Sequence, residues 1–318
     1  MIDSTHAESM LRMLLTIRRF EERMLEFLNT GVIKGGSHLY IGQEADATGV
    51  CEALHPDDYI TSTHRGHGHG LAKGGSPSEL MAEILGRATG ACRGRGGSLH
   101  LADLNTGNLG ANGIVGGSLG IAAGAGLSAQ MRGSGQVVAC FFGDGATNTG
   151  LFHEAMNMAK VWSLPVLFIC ENNLYGMSVS VNRATGLVDL ATRADGYGMR
   201  KDIIDGQDVV TVHDTVTKYA RMARDGEGPT FIECKTYRYQ GHSRSDPKAY
   251  RSRDEEKKWR DRDPIDVFTA YVSENSLLDD AAVKRVHAEV EATMEEAAQF
   301  ALNSPQADPA ELYEDLYA

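Results

Sequence analysis

The sequence predicts an α/β fold, a mostly parallel sheet with helices on both faces, extended by helices at its amino and carboxyl ends. Three observations predict it. Val137 to Phe142 is a continuous apolar run, the pattern of a parallel strand covered on both faces. That run passes through Gly143-Asp144-Gly145 into a helical stretch starting near Asn148 or Thr149, then into a second strand ending at Asn172 and Asn173. Both loops therefore fall at the carboxyl ends of neighbouring strands, where open α/β sheets hold ligands. Third, Met10, Met13, Leu14, Ile17, Phe20, Met24, Phe27 and Leu28 recur at helical intervals and give an opening amphipathic helix.

The other elements follow in order. The opening helix carries Arg18, Arg19, Glu21, Glu22 and Arg23 between its apolar positions, so its stripe faces a core or a subunit. A glycine-rich loop containing His38 leads into a helix from about Gln43 to Leu54. The next loop holds His64, Arg65, His67 and His69 among glycines. Alternating imidazoles suit zinc or copper, but no carboxylate or cysteine stands at a matching interval and Arg65 sits in their midst. Arg65 reads better as a bidentate clamp on an anion. Pro77 with its flanking serines opens a helix expected over 77–91. A second glycine-rich loop, 94–101, carries His100, and Gly117 to Met131 reads as a small-residue helix that lets a neighbour approach closely.

Segment 178–197 is polar and irregular, 209–223 is a helix, and Thr230 to Cys234 is another buried strand. The stretch from Thr236 to Pro264 is charged and nearly free of aliphatics, which by composition is a mobile loop. It places His242 and Ser243 at the strand's tip, on the side of Asp144 and Asn173 if the sheet is parallel. Residues 279–302 form a helix; Pro305 and Pro309 make the approach to the end extended, and the last residues form a short docking turn. The chain divides into an opening helix (1–30), an α/β domain (31–262) with a mobile loop at 240–262, and a helical extension (263–318).

With 318 residues the chain can bury a large core. A formal charge of −12 argues against nucleic acid as a partner, because phosphate backbones need Lys and Arg clusters. No apolar run is long enough to span a bilayer and no secretory signal is visible, so the expectation is a cytoplasmic enzyme with no membrane partner. Five scattered cysteines without CxxC spacing read as small core residues in a reducing compartment. Thirty-six glycines, many within 31–150, read as tight loops around a ligand.

The chemistry of the central unit follows from residue type. Gly143 and Gly145 free the backbone to approach a bulky anion, the amides ahead of the following helix offer donors, and Asp144 supplies a hard oxygen. A diphosphate bridged by Mg2+ fits such a site, with Asn173 and the Tyr175 carbonyl completing the metal's oxygen shell.

GDGA followed by ENN-x-YGM resembles the thiamine diphosphate motif of the two-chain 2-oxo acid dehydrogenases, in the alpha subunit of their decarboxylating component. The strings IGQEA, HRGHG, GRGGSLHL, NGIVG and GHSRSDP, in that family's order, extend the resemblance from about residue 8 to the end. It implies a thiamine diphosphate-binding fold. It implies that Asp144, Asn173 and the Tyr175 carbonyl hold Mg2+, that Gly145 and Ala146 face the diphosphate, and that backbone at Gly113 and Val115 meets the aminopyrimidine. Arg65 and His67 match the family's Tyr-Arg-x-His-Gly, whereas His64 replaces the tyrosine. His64, Arg65, His242 and Ser243 then belong to the cofactor side, and His38, His67 and His242 are the candidate catalytic side chains.

The resemblance further implies a glutamate on a separate beta subunit, a heterotetramer of two alpha and two beta chains, and transfer of the acyl group to a lipoyl acyltransferase. Pyruvate is the expected substrate, with acetoin as the alternative. Two other readings are a metal hydrolase built on His64, His67, His69 and Asp144, and a binding subunit without turnover.

Overall fold

The computed structural model describes residues 2–314. Helix α1 (Ser4–Asn29) has Asp3 as its N-cap and buries Met10, Leu14, Ile17, Phe20, Met24, Phe27 and Leu28, the stripe the periodicity predicts except for Met13, which is half-buried at its edge. Helix α2 (Glu44–Glu52), strand β1 (Tyr59–Thr61) and the short α3 (His67–Ala72) follow. Helix α4 (Pro77–Ile84) is capped by Ser76 and ends seven residues before the expected boundary. It stops because Glu83 turns its buried carboxylate onto the returning chain, accepting from the amides of Cys92, Gly94, Gly96 and Gly97 at 2.7–3.0 Å.

Helix α5 (Gly117–Arg132), strand β2 (Val138–Gly143), helix α6 (Gly150–Val161) and strand β3 (Val166–Asn172) form the central unit. Next come the hairpin β4 (Tyr175–Gly176) and β5 (Val179–Ser180), the single turn α7 (Val181–Ala184) and strand β6 (Arg200–Asp205). Helix α8 (Val209–Arg224) and strand β7 (Thr230–Lys235) close the sheet. Helices α9 (Arg253–Arg260), α10 (Pro264–Glu274) and α11 (Asp280–Asn303) end the chain, before a 3-10 turn at Pro309–Tyr313. Of the expected docking turn, residues 315–318 lie outside the described residues.

The five-stranded sheet has the order β1-β2-β3-β7-β6, and every pair in it is parallel. Alternation along each strand feeds two cores. Val138, Cys140, Phe142, Val166 and Phe168 pack with Leu119 of α5 and Phe152 and Met156 of α6. Val137, Ala139, Phe141, Leu167 and Ile169 pack with Val50 of α2 and Val212 and Val216 of α8. A third core joins α1, α4, α10 and α11. Ion pairs Arg12–Glu289 (2.6 Å), Arg285–Glu8 (2.6 Å) and Arg23–Glu295 (2.9 Å) line the seam of α1 with α11, where exposed pairs add little beyond register.

The stretch after β7 that composition marks as loop holds an ordered helix, and its first four side chains, Thr236 to Tyr239, are buried. Tyr237, Arg238 and Tyr239 continue the strand's alternation, at most 2% exposed. Helix α9 forms because Ser252 caps it, acids fill its first turn and bases its last, matching the helix dipole. The Arg251 guanidinium lies 4.9–5.4 Å from the ring centres of Tyr175, Tyr237 and Tyr250, fastening this stretch to the hairpin. Gly42, at φ +102°, is where it meets the IGQEA loop, since a Cβ there would lie 2.3 Å from the Tyr237 carbonyl.

Candidate active site

A cavity of about 310 Å³ opens at the carboxyl ends of β2 and β3. Its floor is the Gly143-Asp144-Gly145 turn, which runs as a 3-10 segment over Asp144–Asn148 before Thr149 caps α6 through the Phe152 amide. The turn and the hairpin approach backbone to backbone: a Cβ on Gly145 would stand 3.6 Å from the Cα of Gly176. Leu174 and Met177 hold positive φ, +73° and +54°, the local strain that folds the hairpin over Asp144.

Asp144 is 4% exposed, and burial raises its carboxyl to about 6. Its backbone carbonyl accepts from Thr147 Oγ1 at 2.7 Å, and among the described residues its carboxylate has no ion-pair partner. Asn173 gives Nδ2 to Gln43 Oε1 at 3.0 Å, which fixes the amide so that its oxygen faces the Tyr175 amide, 3.4 Å away. A desolvated carboxylate beside an oriented amide oxygen is a donor set for a hard cation.

Two guanidiniums share the cavity wall. Arg65, 4% exposed, donates to the Leu39 carbonyl at 2.7 Å and the His242 carbonyl at 3.1 Å. Arg238, 2% exposed, donates to the Met177 carbonyl at 3.2 Å. Burial and then Arg238 push the Arg65 value down, and burial and then Arg251 push Arg238 down. A polyanion in the cavity relieves both.

The structure brings together His64, Arg65, Val115, Asp144, Gly145, Ala146, Asn173, Tyr175 and His242 on this one wall. His38 stands directly behind, its ring centre 4.9 Å from those of His64 and His242. Three further sequence candidates are not themselves among the lining residues, although Gly113 stands between Asn112 and Ile114 and Ser243 beside His242, which are. Gly113 turns toward His100, and Ser243 faces Ser245 at 3.3 Å. His67 is fully buried, Nδ1 3.1 Å from the Glu21 carboxylate and Nε2 2.8 Å from Ser98 Oγ; with both nitrogens engaged it ties α1 to the 97–99 turn. His69 is likewise taken, by Ser62 Oγ at 2.7 Å and Glu171 at 3.0 Å. The alternating histidines therefore part into three separate surroundings, and the hydrolase arrangement of His64, His67 and His69 is not formed.

Sequence reasoning missed Gln43, Asn112, Ile114, Glu171, Met177 and Arg238, which also line the cavity. Arg238 carried a signal: alternating Tyr237 and Tyr239 around it continue a strand, which puts the arginine on the face opposite the tyrosines.

Burial first and the Arg65 charge second lower His38 to about 3, His64 to about 2 and His242 to about 4. The unfolded chain takes up protons at these rings near pH 6.5 and the folded chain only well below it, so stability held above pH 6.5 is lost as pH falls toward 4. Between pH 7 and pH 5 the melting temperature is expected to drop by roughly 5 °C. A His38→Gln/His64→Gln chain should show a shallower fall; parallel pH curves for the two chains would contradict the assignment.

A family model described as dehydrogenase E1 component matches residues 12–310. The alpha subunit of acetoin:2,6-dichlorophenolindophenol oxidoreductase from Bacillus subtilis (strain 168) is 44% identical, over 97% of this chain and 92% of its own length. The subunit of that name from Cupriavidus necator is 41% identical, over 99% and 95%. The pyruvate dehydrogenase E1 component subunit alpha of Rickettsia bellii is 38% identical, over 96% and 93%.

Proposed function

The chain belongs to the dehydrogenase E1 component family, and from that premise we propose that it is the alpha subunit of a thiamine diphosphate- and Mg2+-dependent dehydrogenase acting on pyruvate. The two-carbon unit passes to a lipoyl group on a separate acyltransferase. The observation that carries this reading is the cavity itself, in which a buried carboxylate with no ion-pair partner among the described residues and two buried guanidiniums, Arg65 destabilised by Arg238, face one space of cofactor size.

Asp144, Asn173 and the Tyr175 carbonyl would hold the metal, and Arg65 and Arg238 would neutralise the diphosphate. Bound thiamine diphosphate supplies the carbon nucleophile and electron sink that cleavage next to a carbonyl requires. His64 and His242, neutral at pH 7, offer hydrogen bonds to the anion or the acyl group without adding charge.

The wall is unfinished on one side. Ile114 and Val115 stand 72% and 53% exposed at the mouth, and Ile121 and Met131 of α5 and Leu151, Met158 and Val161 of α6 extend the apolar surface. That surface suits a beta subunit, in a heterotetramer of two alpha and two beta chains, and the missing acid–base group would come from it. The domain plan that goes with this reading is an opening helix to residue 30, a cofactor domain at 31–262 and a helical extension at 263–318. Among the described residues no helix is long and apolar enough to cross a membrane; the proposed location is the cytoplasm.

Acetoin is the second reading, favoured by the 44% and 41% identical relatives. The test is reduction of an artificial electron acceptor by this chain purified with its beta partner, thiamine diphosphate and Mg2+. Turnover on pyruvate is expected. Turnover on acetoin alone selects the second reading, and cofactor binding with silence on pyruvate, branched 2-oxo acids and acetoin leaves a subunit without turnover.

A further inference from the structure

Outside the cavity, the carboxylate of Glu255 meets two phenols. Tyr175 Oη donates to its oxygens at 3.0 and 2.9 Å and Tyr237 Oη at 2.7 Å, and among the described residues the side chain has no other hydrogen-bond or ion-pair partner. Glu255 is not one of the residues lining the large cavity; with Tyr175, Asn172 and Lys235 it borders a smaller one of about 130 Å³. Of the three acids in the first turn of α9, Asp254 is exposed and Glu256 pairs with Lys248 at 2.9 Å, whereas Glu255 turns inward. Burial and then Glu255 raise Tyr175 to about 12, and burial and then Glu255 push Tyr237 up as well, so both hydroxyls stay donors through the neutral range.

The two tyrosines lead to the two halves of the cavity. The Tyr175 carbonyl belongs to the proposed metal shell, and Tyr237 precedes Arg238, the proposed clamp on the diphosphate. Leu174 and Met177 hold positive φ on either side of Tyr175–Gly176, a conformation that persists only where its surroundings fix it. The Tyr175 amide reaches Asn173 Oδ1 at 3.4 Å, so the shorter bonds of this residue are those at its hydroxyl. On the other side of the hairpin, Arg238 holds the Met177 carbonyl at 3.2 Å.

We infer that Glu255 is a positioning residue: by accepting from Tyr175 and Tyr237 together, it fixes the metal-binding carbonyl and the Arg238 clamp relative to each other. It acts through the two rings, from outside the cavity that the ion and the cofactor would fill. This rests on the proposed Mg2+ and thiamine diphosphate site and names what joins its two halves.

The test uses the full chain with its beta partner, freed of cofactor, and follows Mn2+ binding in the presence of thiamine diphosphate by loss of the free ion's paramagnetic resonance signal. Mn2+ takes the oxygen ligands that suit magnesium. Glu255→Ala is expected to weaken Mn2+ binding by about tenfold or more, and Glu255→Gln, which keeps one acceptor oxygen, by about threefold. In a Tyr175→Phe/Tyr237→Phe chain, which has lost both donors, Glu255→Ala should add less than about twofold. Melting without cofactor checks folding, and Tyr175→Phe, with a loss of about threefold or more, serves if Glu255→Ala does not fold. Parent affinity in a folded Glu255→Ala chain, or a loss of the same size in the double-phenylalanine background, would overturn the inference. Asp144→Ala separates this from the reading beneath it: if that chain has lost Mn2+ the metal site stands, and if it binds Mn2+ like the parent both fall.

Discussion

Asp144→Asn is expected to weaken Mg2+-dependent thiamine diphosphate binding by at least about 100-fold while leaving the fold and subunit assembly intact. The carboxylate sits 4% exposed at the tip of β2 with no ion-pair partner among the described residues, and burial lifts it to about 6. Such a carboxylate costs the bare chain stability as pH rises from its ordinary value through about 6, because the folded state holds its proton more tightly than the unfolded state. Asparagine removes that cost, so the variant should melt no lower than the parent near pH 7. The parent carries a second signature: its metal-dependent affinity should fall about tenfold per pH unit below pH 6, where a proton competes for the carboxylate. Calorimetric titration of the cofactor into both chains, with Mg2+ from pH 5 to pH 8, checks this. Equal affinities would remove Asp144 from the site.

Glu83→Ala is expected to be the most destabilising single change in the loop framework, at about 3–5 kcal/mol. Its two oxygens each serve two amides, Gly96 and Gly97 on one and Cys92 and Gly94 on the other. Hydrogen bonds to a charged acceptor are the stronger kind, and truncation strands four donors at once. For a chain of this size the melting temperature should fall by roughly 10 °C. Glu83→Gln should fall between the two, since its amide nitrogen cannot accept. The loss reaches the cavity: Ser98, beside Gly97, bonds both His67 and Ser37, and Ser37 precedes His38. Thermal melts decide it, and a shift under about 2 °C for Glu83→Ala would mean that water replaces the carboxylate.

The parts of the fold readable in the sequence are those where hydropathy and geometry agree. Val137 to Phe142, between two helix layers, must be apolar at every position, so β2 showed itself without periodicity. Helix α1 did so through its stripe, and the GDG and Asn-Asn loops through residues that only a turn or a ligand explains. Strand β6 stayed hidden because it is an edge strand; Arg200, Lys201 and Asp202 face water or pair locally, as Lys201 does with Asp195. Strand β1 spans only three residues and has no pattern to detect.

The charged residues of the site were hidden for another reason. Glu21 looks like one more surface charge on α1, yet it is fully buried, accepting from the Tyr40 amide at 2.9 Å and pairing with His67. Glu171 likewise stands among apolar strand residues and is held by Tyr40 and His69. A buried charge is recognised by its partners, and those lie 19 to 131 positions away in the chain. Motif order could therefore find Asp144 and Arg65, while Glu171 and the placement of His67 needed three dimensions.

The bare faces of α5 and α6 also bear on how the protein is made. Gly124 opens onto empty space, Gly120 packs against Leu151, and Ile121, Leu151, Met158, Val161 and Trp162 stand exposed on these helices and at the end of α6. A copy without a companion presents this surface to every other nascent chain, and surfaces of this kind drive association and recruit quality control. In the proposed heterotetramer, a surplus of this chain over its partner would then be expected to aggregate or be degraded.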